Sequence, residues 1–311
     1  TRRLPPAVTA RAERDFEART NPDDRLLGDA IPALAAGCDG LLICSSEQMT
    51  AGMIERLPAS VKMIATFSVG YEHIDVRAAR ARGITVSNTP DVLNDATADM
   101  AMLLLLAASR RAYEGNATVR QDRWGGWHAL MLLGLQLTGK RLGIFGMGRI
   151  GQAVARRARG FGMSIHYHNR TRLPPEREAG AVYHADPQSL LAVSQFLSLH
   201  APSTPDTRKF LDAERIRLLP DQAVVVNTGR GDLVDDEALI AALRSGKLFA
   251  AGLDVFAGEP KVHPGYRSLD NVFFMPHLGS ATVETRDAMG FCALDNLDAF
   301  FAGRPVPNAL T

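Results

Sequence analysis

The sequence predicts an α/β protein whose parallel sheets are covered by helices on both faces. Short apolar segments that read as strands, Leu41–Cys44 and Met63–Phe67, alternate with helical segments such as Met49–Leu57. Continuous apolar strands of this kind are typical of parallel sheets that are buried on both sides. A strand–turn–helix–strand unit over residues 138–171 repeats the pattern later in the chain. The length of 311 residues suits two domains.

Residues 1–90 read as one domain of alternating helices and strands. Helices are predicted over Leu4–Phe16 and Val76–Arg82, and a third strand is predicted over Ile84–Ser87. A sheet of this type normally opens with a strand before its first helix. The chain has none there and begins at Thr1 rather than at Met, which suggests that N-terminal residues are missing.

The middle of the chain combines an apolar helix with an unusual aromatic segment. The helix is predicted from Asp95 to about Tyr113, and it is apolar nearly all round, so we expect it to be buried. The segment 113–138 then carries Trp124 and Trp127. Large exposed apolar patches usually contact a partner. We therefore interpret this segment as a dimerisation arm, and the alternative is a loop folded onto its own domain.

Composition narrows the classes of partner and of cellular compartment. A net charge of +1 provides no electrostatic attraction to nucleic acid or to an anionic membrane. The longest apolar run, Met100–Ala108, is about half the length that a bilayer requires. We expect neither a nucleic-acid partner nor a membrane partner. Three cysteines without a C-x-x-C pair favour reduced thiols and a cytoplasmic location.

The unit at residues 138–171 predicts dinucleotide binding and hence a Rossmann domain. The strand Leu142–Phe145 leads into a G-x-G-x-x-G motif, a helix to about Gly160, and a second strand, Ser164–His168. The first glycine allows a tight turn, the second lets the backbone approach a pyrophosphate, and the third lets the helix pack close to the strand. The N-terminus of the helix favours the phosphates, and the alternative is that the glycines serve packing only. The three glycines are Gly146, Gly148 and Gly151.

Four more strands complete a doubly wound sheet of about six strands. They are predicted at Phe196–Leu199, Ala223–Asn227, Ala250–Val255 and Val272–Met275. Ligands bind at the carboxyl ends of parallel strands, so the residues that follow each strand are candidates for the chemistry. Three strands of this sheet are followed by Arg230, Glu259 and His277, and the strand Met63–Phe67 is followed by Ser68, Val69 and Gly70.

These groups fit hydride transfer to a 2-keto acid. Reduction of a ketone requires a proton donor near neutral pH, and His277 is suited to that role. Glu259, bonded to the other ring nitrogen, would hold the tautomer and favour the charged ring. Arg230 would bind the substrate carboxylate and polarise the carbonyl, and the N–H groups of Val69 and Gly70 would hold the same carboxylate. Each group alone has a structural alternative, a packed histidine or a glutamate that caps a turn.

Five segments resemble the D-2-hydroxyacid dehydrogenase family, in the same order along nearly the whole chain. They are Ser68–Asp75, Gly146–Gly151, Asn227–Gly231, Gly252–Pro260 and Pro276–Gly279. The resemblance implies a smaller flavodoxin-like α/β substrate-binding domain, residues 1–90 plus 280–311, into which a Rossmann cofactor domain, residues 91–279, is inserted. It also implies active dimers, with Arg230, Glu259 and His277 as the catalytic set. The formate dehydrogenase branch pairs its histidine with glutamine, so Glu259 argues against that branch.

The residues after the second strand of the Gly-rich unit predict which cofactor is used. NAD enzymes place an acid there to bind the ribose 2′-hydroxyl, whereas this chain has Asn169, Arg170 and Thr171. No acid is present to repel a 2′-phosphate, and Arg170 can pair with it. We therefore predict that NADP(H) is preferred over NAD(H). The alternative is a solvent-facing arginine beside a neutral asparagine that accepts either cofactor.

The predicted contact residues extend along the strand ends. For the cofactor they are Thr97, Gly146, Gly148, Arg149, Ile150, Gly151, Asn169, Arg170, Thr171, His200, Pro202, Thr228, Gly229, Arg230, Asp254, His277 and Gly279. For the substrate they are Ser68, Val69, Gly70, Trp127 and Arg230. No metal is expected, because His166 and His168 share one face of a strand without a third ligand nearby in sequence.

The Asn-Arg-Thr step and the double-Trp segment resemble the glyoxylate/hydroxypyruvate reductase branch. In that branch the second Trp reaches the partner's active site, which implies that Trp127 helps to select small substrates across a homodimer. The predicted activity is NADPH-dependent reduction of glyoxylate or hydroxypyruvate to the D-2-hydroxy acid. Two alternatives are open. One is another substrate, such as 2-ketogluconate/D-gluconate, D-lactate or phosphite. The other is a dinucleotide-sensing binding protein of the corepressor type, a branch that keeps the same Arg, Glu and His.

Overall fold

A computed structural model describes residues 1–310 of the chain, and these residues form two compact units. The first unit is Thr1–Leu93 together with the chain from Ala281 onward, and the second is Asn94–Ser280. Each unit contains one parallel β-sheet with helices packed against it. The predicted α/β fold class is therefore confirmed.

The first unit is built on a three-stranded parallel sheet in the order β1–β2–β3. Its strands are β1 (Gly40–Ile43), β2 (Met63–Thr66) and β3 (Thr85–Ser87). Its helices are α1 (Pro6–Asp15), α2 (Ile31–Leu34), α3 (Ala51–Glu55), α4 (Val76–Ala81) and, after the second unit, α12 (Val283–Phe301).

The central strand β2 shows why this sheet requires helices on both faces. All four of its residues are buried, and alternate side chains enter two different clusters. Met63 packs with residues of α1 and α12, including Val8, whereas Ile64 packs with Ile43 and with Ile54 of α3. Alternate side chains of a strand point to opposite faces of the sheet, so each face of β2 contributes to a separate core.

The second unit is built on a seven-stranded parallel sheet in the order β10–β9–β8–β7–β4–β5–β6. Its strands are β4 (Arg141–Phe145), β5 (Ser164–His168), β6 (Val182–Tyr183), β7 (Phe196–Leu199), β8 (Ala223–Asn227), β9 (Leu248–Leu253) and β10 (Val272–Phe274). Its helices are α5 (Asn94–Ser109), α6 (Ala112–Arg120), α7 (Arg149–Gly160), α8 (Pro175–Glu178), α9 (Pro187–Val193), α10 (Ala213–Leu218) and α11 (Asp236–Ser245).

The strand order of the second unit identifies the edge at which a ligand binds. β4 lies between β5 and β7, so the direction of the chain's progress through the sheet reverses beside β4. In doubly wound sheets the crevice at this reversal, outside the carboxyl ends of the strands, is the dinucleotide site. The Gly-rich turn follows β4 directly, which places it at the reversal.

Three details of the second unit differ from the sequence-based predictions. The sheet has seven strands rather than about six. The additional strand, β6, was not predicted because it is only two residues long and half of Val182 is exposed. β9 begins and ends two residues earlier than predicted. The helix predicted to reach Tyr113 ends at Ser109, since Arg111 adopts a left-handed backbone conformation with φ of 52° and separates α5 from α6.

Candidate active site

The Gly-rich turn between β4 and α7 is shaped by close backbone contacts. A Cβ atom added to Gly146 would lie 2.6 Å from the backbone nitrogen of Ala201, and one added to Gly151 would lie 2.5 Å from the carbonyl oxygen of Gly146. No side chain fits at either position. A Cβ at Gly148 would meet nothing within 4 Å. The backbone there is open to approach, and no side chain caps the N-terminus of α7 at Gly148.

The residues after β5 divide into two roles. The Asn169 side chain accepts a hydrogen bond from the Met147 backbone N–H at 2.6 Å, so it holds the Gly-rich turn. Arg170 and Thr171 are exposed, and Arg170 has no ion-pair partner among the described residues. Arg172 differs, because it donates to both carboxylate oxygens of Glu178, at 2.7 and 3.0 Å.

The buried Glu178 carboxylate holds the loop that follows Arg170 in place through hydrogen bonds. It accepts hydrogen bonds from Arg172 and from the Tyr167 hydroxyl, the latter at 2.6 Å. These two donors lower the pKa of Glu178 to about 2, and burial together with the Glu178 contact raises the pKa of Tyr167 to about 12. The Tyr167 hydroxyl also accepts from the Leu173 backbone N–H at 3.0 Å. The positive charge of Arg172 is therefore paired with the Glu178 carboxylate.

His200 follows β7 and joins the loops after β7 and β8. Its Nε2 lies 2.7 Å from the Ser198 hydroxyl, and its Nδ1 lies 3.2 Å from the Thr228 hydroxyl. Burial lowers the pKa of His200 to about 4. The ring is neutral at physiological pH and acts as a bridge between two hydroxyl groups. Pro202 lies two residues further along the same loop.

The turn that carries Arg230 is formed by Asn227 at the end of β8. The buried Asn227 side chain accepts from the Gly229 N–H at 3.0 Å and donates to the Arg230 carbonyl at 2.8 Å. A Cβ on Gly231 would lie 1.9 Å from the backbone carbon of Phe256, so only glycine allows this turn to touch the loop after β9. Sequence reasoning did not assign a role to Asn227 or Gly231. The glycine directly after Arg230 was the sequence signal from which the close contact of this turn could have been predicted.

Glu259 and His277 form the central pair of the site. His277 Nδ1 lies 2.7 Å from one carboxylate oxygen of Glu259, and the other oxygen accepts from the Phe256 N–H at 2.7 Å. Burial would raise the pKa of Glu259. The bonds from His277 and Phe256, with the positive charge of Arg230, outweigh burial and lower this pKa. Glu259 is therefore a carboxylate at neutral pH, and it anchors one nitrogen of a half-exposed ring.

Asp254 holds the turn on which His277 lies. The Asp254 carbonyl accepts from the His277 N–H at 2.8 Å. The two carboxylate oxygens accept from the N–H groups of Leu278 and Gly279, at 2.7 and 2.8 Å. The His277 backbone has φ of 55°, a left-handed conformation that costs about 1 kcal/mol or more for a residue with a side chain. The three bonds to Asp254 keep it there.

Parallel pairing brings these groups to one edge of the sheet. Asn227 of β8 is in register with Leu253 of β9, and Leu253 is in register with Phe274 of β10. Arg230, Glu259 and His277 follow these strand ends, and the charge of Arg230 acts on Glu259. Thr97 of α5 lies near Gly279, since a Cβ there would be 3.4 Å from the Thr97 methyl.

In the first unit, Ser68, Val69 and Gly70 form a turn that begins two residues after the end of β2. The Val69 carbonyl accepts from the Asn88 side chain at 2.8 Å, and the Gly70 carbonyl accepts from the Ser68 hydroxyl at 2.7 Å. Within residues 1–310, neither the Val69 N–H nor the Gly70 N–H has an acceptor. Successive free N–H groups of this kind form a concavity that suits an anion.

Trp127 lies on an exposed part of the segment 113–138, away from any packed core. Its exposed fraction is 82% and that of Trp124 is 58%. Leu130 and Leu133 are also exposed, at 76% and 57%. The alternative of a loop that folds its tryptophans onto its own domain is therefore not what the structure shows for these side chains.

The comparisons with known proteins identify the family. The family model described as "D-isomer specific 2-hydroxyacid dehydrogenase, NAD binding domain" matches residues 102–279. The glycerate dehydrogenase of Hyphomicrobium methylovorum is 47% identical over 310 residues, which cover 99% of this chain and 96% of that protein. The chain belongs to the D-isomer specific 2-hydroxyacid dehydrogenase family. The predicted family and the Rossmann-type NAD(P)-binding domain are both confirmed.

Two solved structures resemble this dehydrogenase over its whole length. A structure from Polaromonas sp. JS6 66 that bears the same family name has a TM-score of 0.96 and 52% identity, and covers 100% of this chain and 98% of its own. The NADPH-dependent glyoxylate/hydroxypyruvate reductase of Sinorhizobium meliloti, solved with NADP and malonate, has a TM-score of 0.87 and 36% identity. The match covers 100% of this chain and 95% of that one.

Two further features of the dehydrogenase concern membranes and metals. In the part of the chain that the structure describes, no helix is both long enough and apolar enough to cross a bilayer. Residues 1–310 contain no cluster of three or more His, Cys, Asp or Glu that is arranged to hold a metal. His166 Nδ1 instead lies 3.0 Å from His184 Nε2, and His168 Nδ1 lies 2.9 Å from the His184 carbonyl.

Proposed function

We propose that this dehydrogenase reduces a small 2-keto acid, glyoxylate or hydroxypyruvate, to the D-2-hydroxy acid with NADPH. The observation that carries the proposal is the His277–Glu259 pair at 2.7 Å. Glu259 and His277 lie in the loops after β9 and β10, and β9 pairs with β8, the strand that Arg230 follows. The Gly-rich turn belongs to the same sheet. The names of the relatives, glycerate dehydrogenase and glyoxylate/hydroxypyruvate reductase, support the choice of substrate.

The side chains of the pair have complementary roles in the proposed reaction. When bound, the reduced nicotinamide supplies the hydride that the carbonyl carbon accepts. His277 donates the proton from Nε2 to the carbonyl oxygen, because Nδ1 is engaged by the Glu259 carboxylate. Glu259 stabilises the charged ring before the transfer and holds the tautomer after it. Arg230 binds the substrate carboxylate and stabilises the negative charge that develops on the carbonyl oxygen.

The dinucleotide is proposed to lie along the rim that runs from Asn169 to Gly279. The Gly148 backbone and the uncapped N-terminus of α7 suit the pyrophosphate. For the 2′-phosphate of NADPH the support is Arg170, which is exposed and unpaired, whereas Arg172 is bound to Glu178. The charge of Glu178 is neutralised by the same contact, so the loop presents no net negative group to a 2′-phosphate.

A homodimer is proposed through the segment 113–138. A stretch with Trp124, Trp127, Leu130 and Leu133 exposed is unusual on a monomer surface and suits contact with a second copy. We propose that Trp127 reaches the substrate site of the partner. Sedimentation of the wild type and of Trp127→Ala tests this: a monomeric wild type contradicts the dimer. An assembled Trp127→Ala dimer with an unchanged KM for every 2-keto acid contradicts the role across the interface.

The function is tested by following NADPH absorbance with a panel of 2-keto acids. Glyoxylate and hydroxypyruvate are expected to be reduced with higher catalytic efficiency than pyruvate or 2-ketogluconate. Faster turnover of one of the latter reassigns the substrate within the same reaction. Tight dinucleotide binding without turnover of any panel member supports a dinucleotide-sensing binding protein instead.

The three unpaired cysteines support a reducing, cytoplasmic setting, which localisation of the tagged protein would test.

A further inference from the structure

The turn proposed to bind the substrate carboxylate is held in shape by a residue from the next strand. Asn88 follows β3 and donates its side-chain N–H to the Val69 carbonyl at 2.8 Å. The adjacent Thr89 donates its backbone N–H to the Ser68 carbonyl at 2.9 Å. With the Ser68 hydroxyl on Gly70, all three carbonyls of the turn have donors. The N–H groups of Val69 and Gly70 are left for a ligand.

Asn88 is in turn fixed by the buried side chain of Asn296 on α12. Asn296 is 0% exposed, and its amide donates to the Asn88 carbonyl at 3.2 Å. The Asn296 side-chain oxygen accepts from the N–H and from the side chain of Asn308, at 3.1 and 3.2 Å. Both the nitrogen and the oxygen of the Asn296 side chain are thus hydrogen-bonded, and the side chain joins Asn88 to the C-terminal tail.

The C-terminal tail runs along the free edge of β3. Leu310 donates its N–H to the Val86 carbonyl at 2.8 Å, Ala309 forms an antiparallel bridge with Ser87, and Asn88 donates its N–H to the Asn308 carbonyl at 3.3 Å. The tail therefore pairs with the edge of β3 through one isolated bridge and two flanking backbone hydrogen bonds, and it fixes the backbone of Asn88 where its side chain must face Val69.

We propose that Asn88 is a positioning residue for the substrate carboxylate and that the C-terminal tail, through Asn296, sets its position. The inference rests on the proposed function, because it assumes that the 68–70 turn binds the carboxylate. An anion held by two backbone N–H groups is sensitive to their direction, since hydrogen bonds weaken steeply away from linearity. The side chain of Asn88 controls that direction by holding the intervening carbonyl.

The test compares Asn88→Ala with the matched variant Asn21→Ala. Asn21 also donates its side-chain amide to backbone carbonyls of the first unit, those of Thr1 and Arg25, both at 2.7 Å. Asn88→Ala is expected to raise KM for glyoxylate and Ki for oxalate by roughly tenfold, the factor expected if the misaligned turn loses one of its hydrogen bonds to the charged carboxylate. Its kcat should stay within about threefold, as for a group that acts on substrate binding, and its Kd for NADPH should be unchanged.

Asn21→Ala is expected to lower Tm without changing KM or Ki. If Asn88→Ala keeps wild-type KM and Ki, or if both variants lose activity only in proportion to Tm, Asn88 has no positioning role. If Asn88→Ala is insoluble, Asn88→Ser replaces it, because the serine side chain is too short to reach Val69. The same changes in KM and Ki are then expected. Asn296→Ala should shift KM in the same direction by a smaller factor. Failure of the proposed function would be visible in the wild type, as absence of 2-keto acid turnover.

Discussion

The His277 ring and the Glu259 carboxylate are 2.7 Å apart, and each is held by a second contact. The Phe256 N–H holds the other oxygen of Glu259, and the Asp254 carbonyl holds the backbone of His277. The pair is therefore oriented by the protein's own loops, those after β9 and β10. Pre-oriented acid–base pairs lose little free energy in reorganisation during the reaction.

Replacement of His277 tests its role as the acid. In His277→Ala, kcat should fall by roughly a thousandfold, within the range found for general acid catalysis, while the Kd for NADPH stays near that of the wild type. His263→Ala is the control, because His263 forms a similar pair with Glu237, at 3.0 Å, outside the predicted site. Near-normal kcat in His277→Ala would remove this residue from the acid role.

Glu259→Gln separates the charge of the carboxylate from its hydrogen bonds. Gln keeps an acceptor for His277 Nδ1 but does not stabilise a charged ring, so kcat should fall by about a hundredfold. Because the pKa of Glu259 is lowered, the carboxylate is charged throughout the pH range in which an ordinary glutamate is ionised. It loses its charge only as the pH falls through the lowered pKa. The wild type should therefore keep its activity to below the ordinary glutamate range. An unchanged kcat in the variant contradicts the assignment.

Arg170→Ala tests the recognition of the 2′-phosphate. kcat/KM for NADPH should fall by roughly tenfold to a hundredfold, as for loss of a charged hydrogen bond, with little change for NADH. Arg172→Ala is the matched variant, since Arg172 is bound to Glu178 and should affect Tm more than the ratio of the two cofactors. A wild type that prefers NADH would contradict the cofactor assignment directly.

Asp254→Asn tests whether the His277 turn depends on a charged acceptor. The amide group of Asn would face one of two backbone N–H donors, those of Leu278 and Gly279, that the carboxylate now accepts. We expect kcat to fall about tenfold or more, the cost of losing a charged hydrogen bond. Asp186→Asn is the control, because Asp186 caps α9 through the Ser189 N–H at 2.8 Å. Equal losses in both variants would indicate a general loss of stability.

The neutral His200 predicts how stability depends on pH. Its folded pKa of about 4 lies below the ordinary value of about 6.5, so the unfolded chain binds more protons between these values. The free energy of unfolding should therefore decrease as pH falls from about 6.5 to about 4, by roughly 1 kcal/mol per pH unit from this residue. Urea unfolding of the wild type and of His200→Gln measures it.

In His200→Gln this part of the pH dependence should disappear. The exposed His128 is the control position, and His128→Gln should retain the wild-type slope. Parallel slopes for the wild type and His200→Gln would contradict the neutral state of His200.

Much of the second unit followed from sequence pattern, because its signals are local. Phe196–Leu199 and Ala223–Asn227 are predominantly apolar segments, and their observed bounds match the predicted ones. The strand β6 was not predicted, since two residues, one of them an exposed valine, are too few to show the alternation of side chains that is typical of a strand. The break at Arg111 was missed because an arginine in the left-handed conformation has no sequence signal of the glycine type.

The candidate site was less predictable than the sheet that carries it. Arg230, Glu259 and His277 were found as residues that follow strands, but the supports around them depend on contacts between distant segments. Asn169 illustrates the difference. The sequence shows only a neutral residue where an acid is usual, whereas the structure shows its side chain bound to the Met147 N–H.

By itself, the sequence determined the α/β class, the dinucleotide unit and the residue types at the strand ends, because periodicity and the spacing of Gly146, Gly148 and Gly151 are properties of neighbouring residues. The Glu259–His277 contact was expected from the residue types at the strand ends, and the structure gives it a distance of 2.7 Å. The tertiary structure alone decided that Asp254 holds the His277 turn. It also showed that Arg172 is bound to Glu178 whereas Arg170 is exposed. These relationships depend on the register between parallel strands and on which polar groups are buried together, and neither can be read from spacing along the chain.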